Sequence, residues 1–181
     1  MLNDKLFVIP ALSFAAGIYI DSRFPLPNNS TGMTGKNVLY SKIKIMEKLQ
    51  PFLSKYKQTI VYFYPKDNTP GCTIEAHDFS TYKYLFNKNR IGIVWVSKDS
   101  EKSHCNFIEK QNLTIDLISD EDLSLQKQFD VWWEKNMYGK IVHWTIRSTF
   151  LLDWTWKILK ERRNVKATGH VQKIIEELEL K

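Results

Sequence analysis

The chain has 181 residues and a formal net charge of +6. Its 43% hydrophobic and 25% charged residues form an ordinary globular composition, which excludes a disordered chain, a collagen-like repeat and a coiled coil. The two cysteines, Cys72 and Cys105, are too few for a disulfide framework or a cysteine-rich zinc module. No apolar run reaches the roughly 18 residues of a spanning helix, so one soluble domain without a transmembrane span is expected.

Residues 1–20 form an apolar N-terminal extension that two interpretations fit. The run over residues 6–20 fits the apolar h-region of a secretory signal, which would direct export. The one basic residue ahead of the run is balanced by an acidic residue, and a proline interrupts the run, which favours a docking segment. We therefore expect a cytoplasmic protein whose domain covers residues 21–181, with export as the alternative.

The positive charge is concentrated near the start of this domain. Residues 1–58 carry eight basic and three acidic residues, whereas residues 59–181 carry eighteen and seventeen. A nucleic-acid-binding domain is expected to be basic over its working surface, so no nucleic-acid partner is predicted. Lysines and apolar residues alternate at helical spacing over 41–57, which predicts an inserted amphipathic helix that covers the domain. A site for an acidic partner on this basic helix is the alternative.

The rest of the chain alternates between strand-like and helix-like patterns. The predicted strands cover 37–40, 59–65, 91–97, 115–118, 145–152 and 156–162. The predicted helices after the basic one cover 72–88, 100–111, 120–129 and 169–178. This order predicts an α/β fold, a thioredoxin-like three-layer sandwich with a mixed central sheet. Strand ends and helix starts meet at one edge of such a sheet, and Cys72 is predicted to lie there.

The segment Pro65–Glu75 leaves a predicted strand, turns through Pro70-Gly71 and begins a helix at or near Cys72. A thiol at this position faces unpaired backbone N–H groups and the positive end of the helix dipole, and both favour the thiolate. The Thr69 hydroxyl, three residues earlier, is placed to orient a thiolate or an incoming oxygen. Because the thiolate is the nucleophilic form, Cys72 is a candidate catalytic residue, with a buried packing cysteine as the alternative.

The segment Tyr62-Phe-Tyr-Pro-Lys-Asp-Asn-Thr-Pro-Gly-Cys-Thr-Ile-Glu-Ala76 resembles the active-site signature of the peroxiredoxins. It is most similar to their bacterioferritin-comigratory, or Q-type, branch, and the family pattern falls on Pro65, Thr69 and Cys72. Further matches are Val96-Ser97-Lys98-Asp99, Lys102-Ser103-His104, Leu117-Ile-Ser-Asp120, Phe129-Asp-Val-Trp132 and Arg147-Ser-Thr-Phe-Leu-Leu-Asp153. The resemblance is strong over residues 59–153 and weak before residue 59.

The resemblance implies a thiol peroxidase that needs no metal, haem or flavin. The Cys72 thiolate would attack the O–O bond of hydrogen peroxide or a small organic hydroperoxide and become a sulfenic acid. Arg147 would stabilise the thiolate and the peroxide oxygens, Thr69 would hold the peroxide in line, and Pro65 would shield the sulfenic acid. Thioredoxin or a low-molecular-weight thiol would recycle the enzyme, which is expected to be a monomer or a weak homodimer. A redox sensor or regulatory binding protein on the same fold is the alternative.

The sequence departs from the family pattern at the second thiol. Many relatives carry a resolving cysteine five residues after the reactive one, where this chain has His77. Others carry it on the next helix, where this chain has Ile108, with Cys105 three residues earlier. Residues three apart share a helix face approximately, so Cys105 is a candidate resolving thiol, although a disulfide would require local unfolding. Recycling at Cys72 alone, by an external thiol, is the alternative.

Overall fold

The computed structural model describes residues 35–137 and 139–181. Its helices are α1 (Gly35–Leu53), α2 (Pro70–Lys88), α3 (Glu101–Gln111), α4 (Ser124–Gln128) and α5 (His170–Glu177). Its strands are β1 (Gln58–Phe63), β2 (Ile91–Ser97), β3 (Asp116–Ser119), β4 (Trp132–Met137), β5 (Lys140–Thr145), β6 (Ser148–Asp153) and β7 (Ile158–Arg162). Of the described helices, none combines the length and apolar composition of a membrane span. The extension 1–20 lies outside the described residues, so its interpretation stays a prediction.

Five strands form a mixed central sheet in the order β3-β2-β1-β6-β7. The β1, β2 and β3 strands are parallel, whereas β6 runs antiparallel to β1 and β7 antiparallel to β6. Parallel neighbours need long crossover connections, and here α2 and α3 are those connections. The predicted α/β architecture with a mixed central sheet is therefore present.

The sheet separates two apolar cores. Successive side chains of a strand point to opposite faces, so Ile60 and Tyr62 of β1 face α2, α3 and α5. Val61 and Phe63 point the other way and pack with residues of α1 and α4. Because β1 is covered on both faces, it has the continuous apolar sequence of a buried parallel strand. The helices and the sheet thus form the three predicted layers.

The inserted amphipathic helix is α1, and it covers the second core. Ile45, Leu49 and Leu53 recur every four residues along one face and are fully buried. From the polar face, Lys48 binds the buried carboxylate of Asp120 at 2.7 Å. The basic helix therefore covers the second core, and one of its lysines forms an ion pair with an acidic residue of the same chain.

The structure differs from the prediction made from sequence at residues 37–40, at the β4–β5 hairpin and at the predicted strand over 145–152, which is divided between β5 and β6. Residues 37–40, predicted as a strand, are part of α1, because a short apolar run alone does not distinguish a strand from a helix. The β4–β5 hairpin was missed, because its side chains do not alternate between buried and exposed: Trp133 and Ile141 are 48% and 64% exposed. The turn at Gly139, with a φ of +78°, is the local signal that would have indicated a hairpin.

Candidate active site

Cys72 lies in the first turn of α2, after Pro70 and Gly71. Proline suits this position because its fixed φ fits a helix start and the missing N–H has no helical partner there. The N-cap residue is Thr69, whose carbonyl accepts from the Thr73 N–H at 2.9 Å. Because the first N–H groups of a helix have no partner within it, the Cys72 side chain lies where the backbone favours an anion.

The sheet topology brings Arg147 to Cys72. Strand β6 runs antiparallel to β1 and pairs Ser148 with Phe63, so the residue before β6 lies beside the end of β1, near the start of α2. Arg147 Nη2 donates to Cys72 Sγ at 3.1 Å. The strand predicted over 145–152 is divided between β5 and β6, and Arg147 occupies the break. The two residues that the resemblance associates are therefore in direct contact.

A buried carboxylate holds the guanidinium in this position. Glu75 is fully buried one turn after Cys72, and its Oε2 lies 2.5 Å from Arg147 Nη1. The Tyr62 hydroxyl donates to the same carboxylate oxygen and accepts from Arg147 Nη1 at 2.5 Å. A buried charge is costly unless it is paired and hydrogen-bonded, so Glu75 and Arg147 fix each other.

Two pKa shifts follow from this arrangement. Burial raises the pKa of Tyr62 well above its usual value, and the neighbouring Glu75 raises it further, so the phenol stays protonated and donates. Burial opposes the charge on Arg147, but Tyr62, Cys72 and Glu75 together raise the pKa of Arg147 above its ordinary value. The guanidinium is therefore a permanent cation beside the Cys72 sulfur.

His170, the first residue of α5, completes the buried network. Its Nδ1 hydrogen-bonds Glu75 Oε1, and its Nε2 lies 3.1 Å from Thr149 Oγ1. These two contacts fix the orientation of the imidazole ring between Glu75 and Thr149. Sequence reasoning gave no role to Glu75 or His170. The spacing of Glu75 from Cys72 was an available signal, whereas His170 lies 95 positions from Glu75 and carries no local signal.

Two further predicted residues, Thr69 and Pro65, lie in the loop between β1 and α2. The Thr69 hydroxyl donates to the Lys66 carbonyl at 3.1 Å, not to Cys72 Sγ as its placement in the sequence suggested. Pro65 lies two residues after the end of β1 and is half-buried. Cys72 has no exposed surface, whereas the Arg147 side chain is 15% exposed. The guanidinium therefore links the buried sulfur to the protein surface.

A second network holds the loop between β1 and α2. The Asp67 carboxylate accepts from the Tyr64 hydroxyl at 2.6 Å, the Ser103 hydroxyl at 2.6 Å and His104 Nδ1 at 2.9 Å. Its backbone N–H donates to Asp99 Oδ2 at 2.9 Å. Because Ser103 and His104 belong to α3, this carboxylate ties the loop before Cys72 to the first turns of α3.

Cys105 lies on α3, and both cysteines are free thiols. Its side chain is exposed, whereas its neighbour His104 is buried and Ile108 packs partly against the core that contains Cys72. The predicted resolving thiol therefore faces solvent on a helix that Asp67 anchors.

Within the described residues, no group of three or more His, Cys, Asp and Glu side chains is arranged to hold a metal ion. The charged side chain of Arg147 is in direct contact with the Cys72 sulfur, and its other terminal nitrogen binds the Glu75 carboxylate. The site therefore consists of a thiol and a guanidinium in direct contact.

The sheet and the thiol at the start of α2 define a thioredoxin-fold protein with a cysteine at a helix start. The AhpC/TSA family matches residues 47–160, and the chain belongs to this family. Peroxiredoxin Bcp of Xanthomonas campestris is 47% identical over 116 residues, which cover 64% of this chain and 72% of that protein. Peroxiredoxin Bcp of Bacillus subtilis is 42% identical over 131 residues, covering 72% and 82%.

Solved structures give the same result. The bacterioferritin comigratory protein of Xanthomonas campestris, studied for alkyl peroxide reduction in trapped intermediate and ligand complexes, matches with a TM-score of 0.64. That match is 45% identical and covers 67% of this chain and 78% of the other. The predicted thioredoxin-like fold and the resemblance to the bacterioferritin-comigratory branch are confirmed.

We expect Asp67 to contribute to stability in a pH-dependent way. Burial raises the pKa of its carboxyl, but the hydrogen bonds from His104, Ser103 and Tyr64 outweigh burial, and the pKa lies below its ordinary value of 3.8. A carboxyl with a depressed folded pKa stabilises the fold above its unfolded pKa and loses this effect as the pH falls. Urea unfolding should therefore show a smaller loss of unfolding free energy between about pH 5 and about pH 3 in Asp67→Asn than in wild type.

The matched control is Asp116→Asn, which changes an exposed carboxylate of β3 and should retain the wild-type pH dependence. At about pH 7, Asp67→Asn should already cost about 1–3 kcal/mol, because buried donors lose a charged acceptor. The same acid-induced loss in wild type and in Asp67→Asn would contradict the assignment.

Proposed function

We propose that this protein is a thiol-dependent peroxidase that reduces hydrogen peroxide and small organic hydroperoxides. The observation that carries the proposal is the 3.1 Å contact between Arg147 Nη2 and Cys72 Sγ at a helix start. The membership in the AhpC/TSA family and the peroxiredoxin names of its relatives support it. The alkyl peroxide reduction studied in the Xanthomonas campestris relative supports small organic hydroperoxides as substrates.

The first step is an attack of the Cys72 thiolate on one peroxide oxygen. An S–O bond forms, the O–O bond breaks, and its electron pair leaves with the distal oxygen, which takes a proton to give water or an alcohol. Negative charge moves from the sulfur to the oxygens during this step. A fixed guanidinium beside the sulfur stabilises both forms of that charge without reorganising, which is an effective use of a preorganised donor.

In this proposal, Thr69 orients the bound peroxide and Pro65 shields the sulfenic acid that forms on Cys72. The Thr69 hydroxyl donates to a backbone carbonyl in the peroxide-free protein, and rotation about one bond would turn it toward a bound oxygen. Pro65 follows β1 at the same edge of the sheet and limits access to the sulfenic acid. Because Cys72 has no exposed surface, peroxide reaches the sulfur beside the partly exposed Arg147 when the covering side chains move.

The sulfenic acid is then reduced by an external thiol, either thioredoxin or a small molecule. The second thiol of the chain, Cys105, is exposed on α3, and Asp67 holds the neighbouring Ser103 and His104. A disulfide needs Cα atoms within about 7 Å, so pairing with Cys72 would require α3 to leave this network. We therefore assign recycling to attack of an external thiol at Cys72 and keep Cys105 as the alternative.

Substitutions at the two contacting residues test the proposed activity. Cys72→Ser should abolish peroxide reduction, and Arg147→Lys should slow sulfenic acid formation about 10²- to 10³-fold, because one fixed donor is lost. Stopped-flow measurement of peroxide consumption with dithiothreitol reports both effects. Arg90→Lys, at the opposite edge of the sheet, is the matched control and should behave as wild type.

Sustained peroxide consumption over many turnovers is expected for the wild type. Activity that persists in Cys72→Ser would refute the proposed nucleophile. A single stoichiometric oxidation without turnover would instead indicate a redox sensor on the same fold.

The role of Cys105 has a direct test in mass spectrometry under nonreducing conditions. After one equivalent of hydrogen peroxide, wild type should carry a dimedone-reactive sulfenic acid on Cys72 and no bond to Cys105. Cys105→Ser should keep turnover with dithiothreitol within about twofold of wild type. A Cys72–Cys105 disulfide in the wild type, with turnover lost in Cys105→Ser, would show that Cys105 resolves the sulfenic acid.

A further inference from the structure

A basic cleft of about 350 Å³ lies beside the active site, between the end of β7 and the first turns of α5. Its lining includes Arg162, Arg163, Lys166, His170 and Lys173, and none of the described residues that line it is acidic. His170 also belongs to the buried network of Glu75 and Arg147. The cleft therefore shares a residue with the reactive centre.

Two of the positively charged side chains of this basic cleft have no hydrogen-bond or ion-pair partner among the residues that the structure describes. Arg162 Nε donates to Glu177 at 2.5 Å, and Arg163 Nη1 donates to two backbone carbonyls, at 3.1 and 2.8 Å. Lys166 and Lys173 are exposed, and in the described part of the chain neither ammonium group has a hydrogen-bond or ion-pair partner. Lysine is a compact point charge that binds anions without a fixed geometry. The free charges of the cleft are therefore those of Lys166 and Lys173.

The loop that carries Lys166 packs directly against the active site. Its Val165 N–H donates to the Arg147 carbonyl at 3.0 Å. A β-carbon added to Gly71 would lie 3.6 Å from Ala167 Cβ and 3.6 Å from Arg147 Nη2. The loop therefore lies against the Arg147 backbone and beside the turn at Gly71 that precedes Cys72.

We propose that the basic cleft binds the reductant, and that this reductant is a small thiol bearing a negatively charged group such as a carboxylate. The inference rests on the proposed peroxidase function and adds the chemical class of its reducing substrate. A positively charged cleft raises the local concentration of an anion and steers its approach, whereas neutral hydrogen peroxide gains nothing from it. The cleft thus acts on the recycling step and leaves the peroxide step unaffected.

The recycling chemistry uses two molecules of this thiol. The first, as its thiolate, attacks the sulfur of the Cys72 sulfenic acid; an S–S bond forms, the S–O bond breaks, and the leaving hydroxide takes a proton to become water. A second thiolate attacks the reductant sulfur of this mixed disulfide and releases the Cys72 thiolate with the symmetric disulfide. Two thiols are oxidised and one sulfenic acid is reduced. Both attacking species are anionic, so the basic cleft favours both steps.

The test compares three thiols of similar size: 3-mercaptopropionate, 2-mercaptoethanol and cysteamine, which carry a negative, a neutral and a positive second group. The protein is the full chain with Cys105→Ser, so that the added thiol is the sole reductant. One equivalent of hydrogen peroxide forms the sulfenic acid on Cys72. Each thiol is then added, and the loss of the sulfenic acid is followed over time. Rate constants are expressed per thiolate, because the three thiols ionise to different extents.

The anionic thiol should react fastest per thiolate, and its advantage should shrink as salt is raised. The double substitution Lys166→Gln with Lys173→Gln should slow 3-mercaptopropionate, whose thiolate form is a dianion, about 3- to 10-fold. It should slow the monoanionic 2-mercaptoethanol thiolate less and leave cysteamine, whose thiolate form has no net charge, unchanged. The matched control removes the same two charges elsewhere, with Lys57→Gln before β1 and Lys127→Gln on α4, and should leave all three thiols unchanged. The rate of Cys72 oxidation by hydrogen peroxide should be the same in every variant.

Each result separates this inference from the function it rests on. Absence of sulfenic acid formation on Cys72 would overturn the peroxidase proposal, and the inference with it. Normal sulfenic acid formation followed by equal rates for the three thiols would overturn the inference alone. Equal slowing of the anionic thiol by the cleft variant and by the control variant would also overturn it, because the effect would then come from net charge.

Discussion

The Glu75 carboxylate holds the Arg147 guanidinium against the Cys72 sulfur and thereby determines the geometry of the site. It is fully buried, and it is held by Tyr62, His170 and Arg147. If Arg147 moved away, the Glu75 carboxylate would be a buried charge without a counter-charge, which is energetically unfavourable. This cost holds the Arg147 side chain in its position. Its second nitrogen then lies against Cys72 Sγ at 3.1 Å. A surface arginine would have to be ordered at each encounter with substrate, whereas this one is ordered by folding.

The strand order assembles these groups at one edge of the sheet. Strand β1 ends where α2 begins, β6 starts beside that end, and β7 returns to the same edge. The loop after β7 therefore packs against Arg147, and α5 starts there with His170. The peroxide site and the basic cleft share this edge. In the proposed enzyme, oxidation by peroxide and reduction by the thiol therefore both take place at the Cys72 sulfur. The opposite face of the sheet is covered by α1 and α4.

Local patterns predicted much of this arrangement. The β1 and β2 strands are long, continuously apolar runs, and the Pro70-Gly71 turn placed Cys72 at a helix start, because each signal is confined to a few neighbouring residues. Arg147 was found through a family resemblance, since its approach to Cys72 depends on the pairing of β6 with β1. His170 was missed for the same physical reason: its contact with Glu75 arises from tertiary packing between residues far apart in sequence.

A double-mutant cycle on sulfenic acid formation tests most directly whether Glu75 acts through Arg147. The rate constants for Cys72 oxidation by hydrogen peroxide are measured in wild type, Glu75→Gln, Arg147→Lys and the double variant. Glu75→Gln should slow oxidation about tenfold in the wild-type background and hardly at all once Arg147 is already replaced, because coupled residues are non-additive. The same tenfold loss in both backgrounds would contradict the account, since Glu75 would then act on the sulfur independently of the guanidinium.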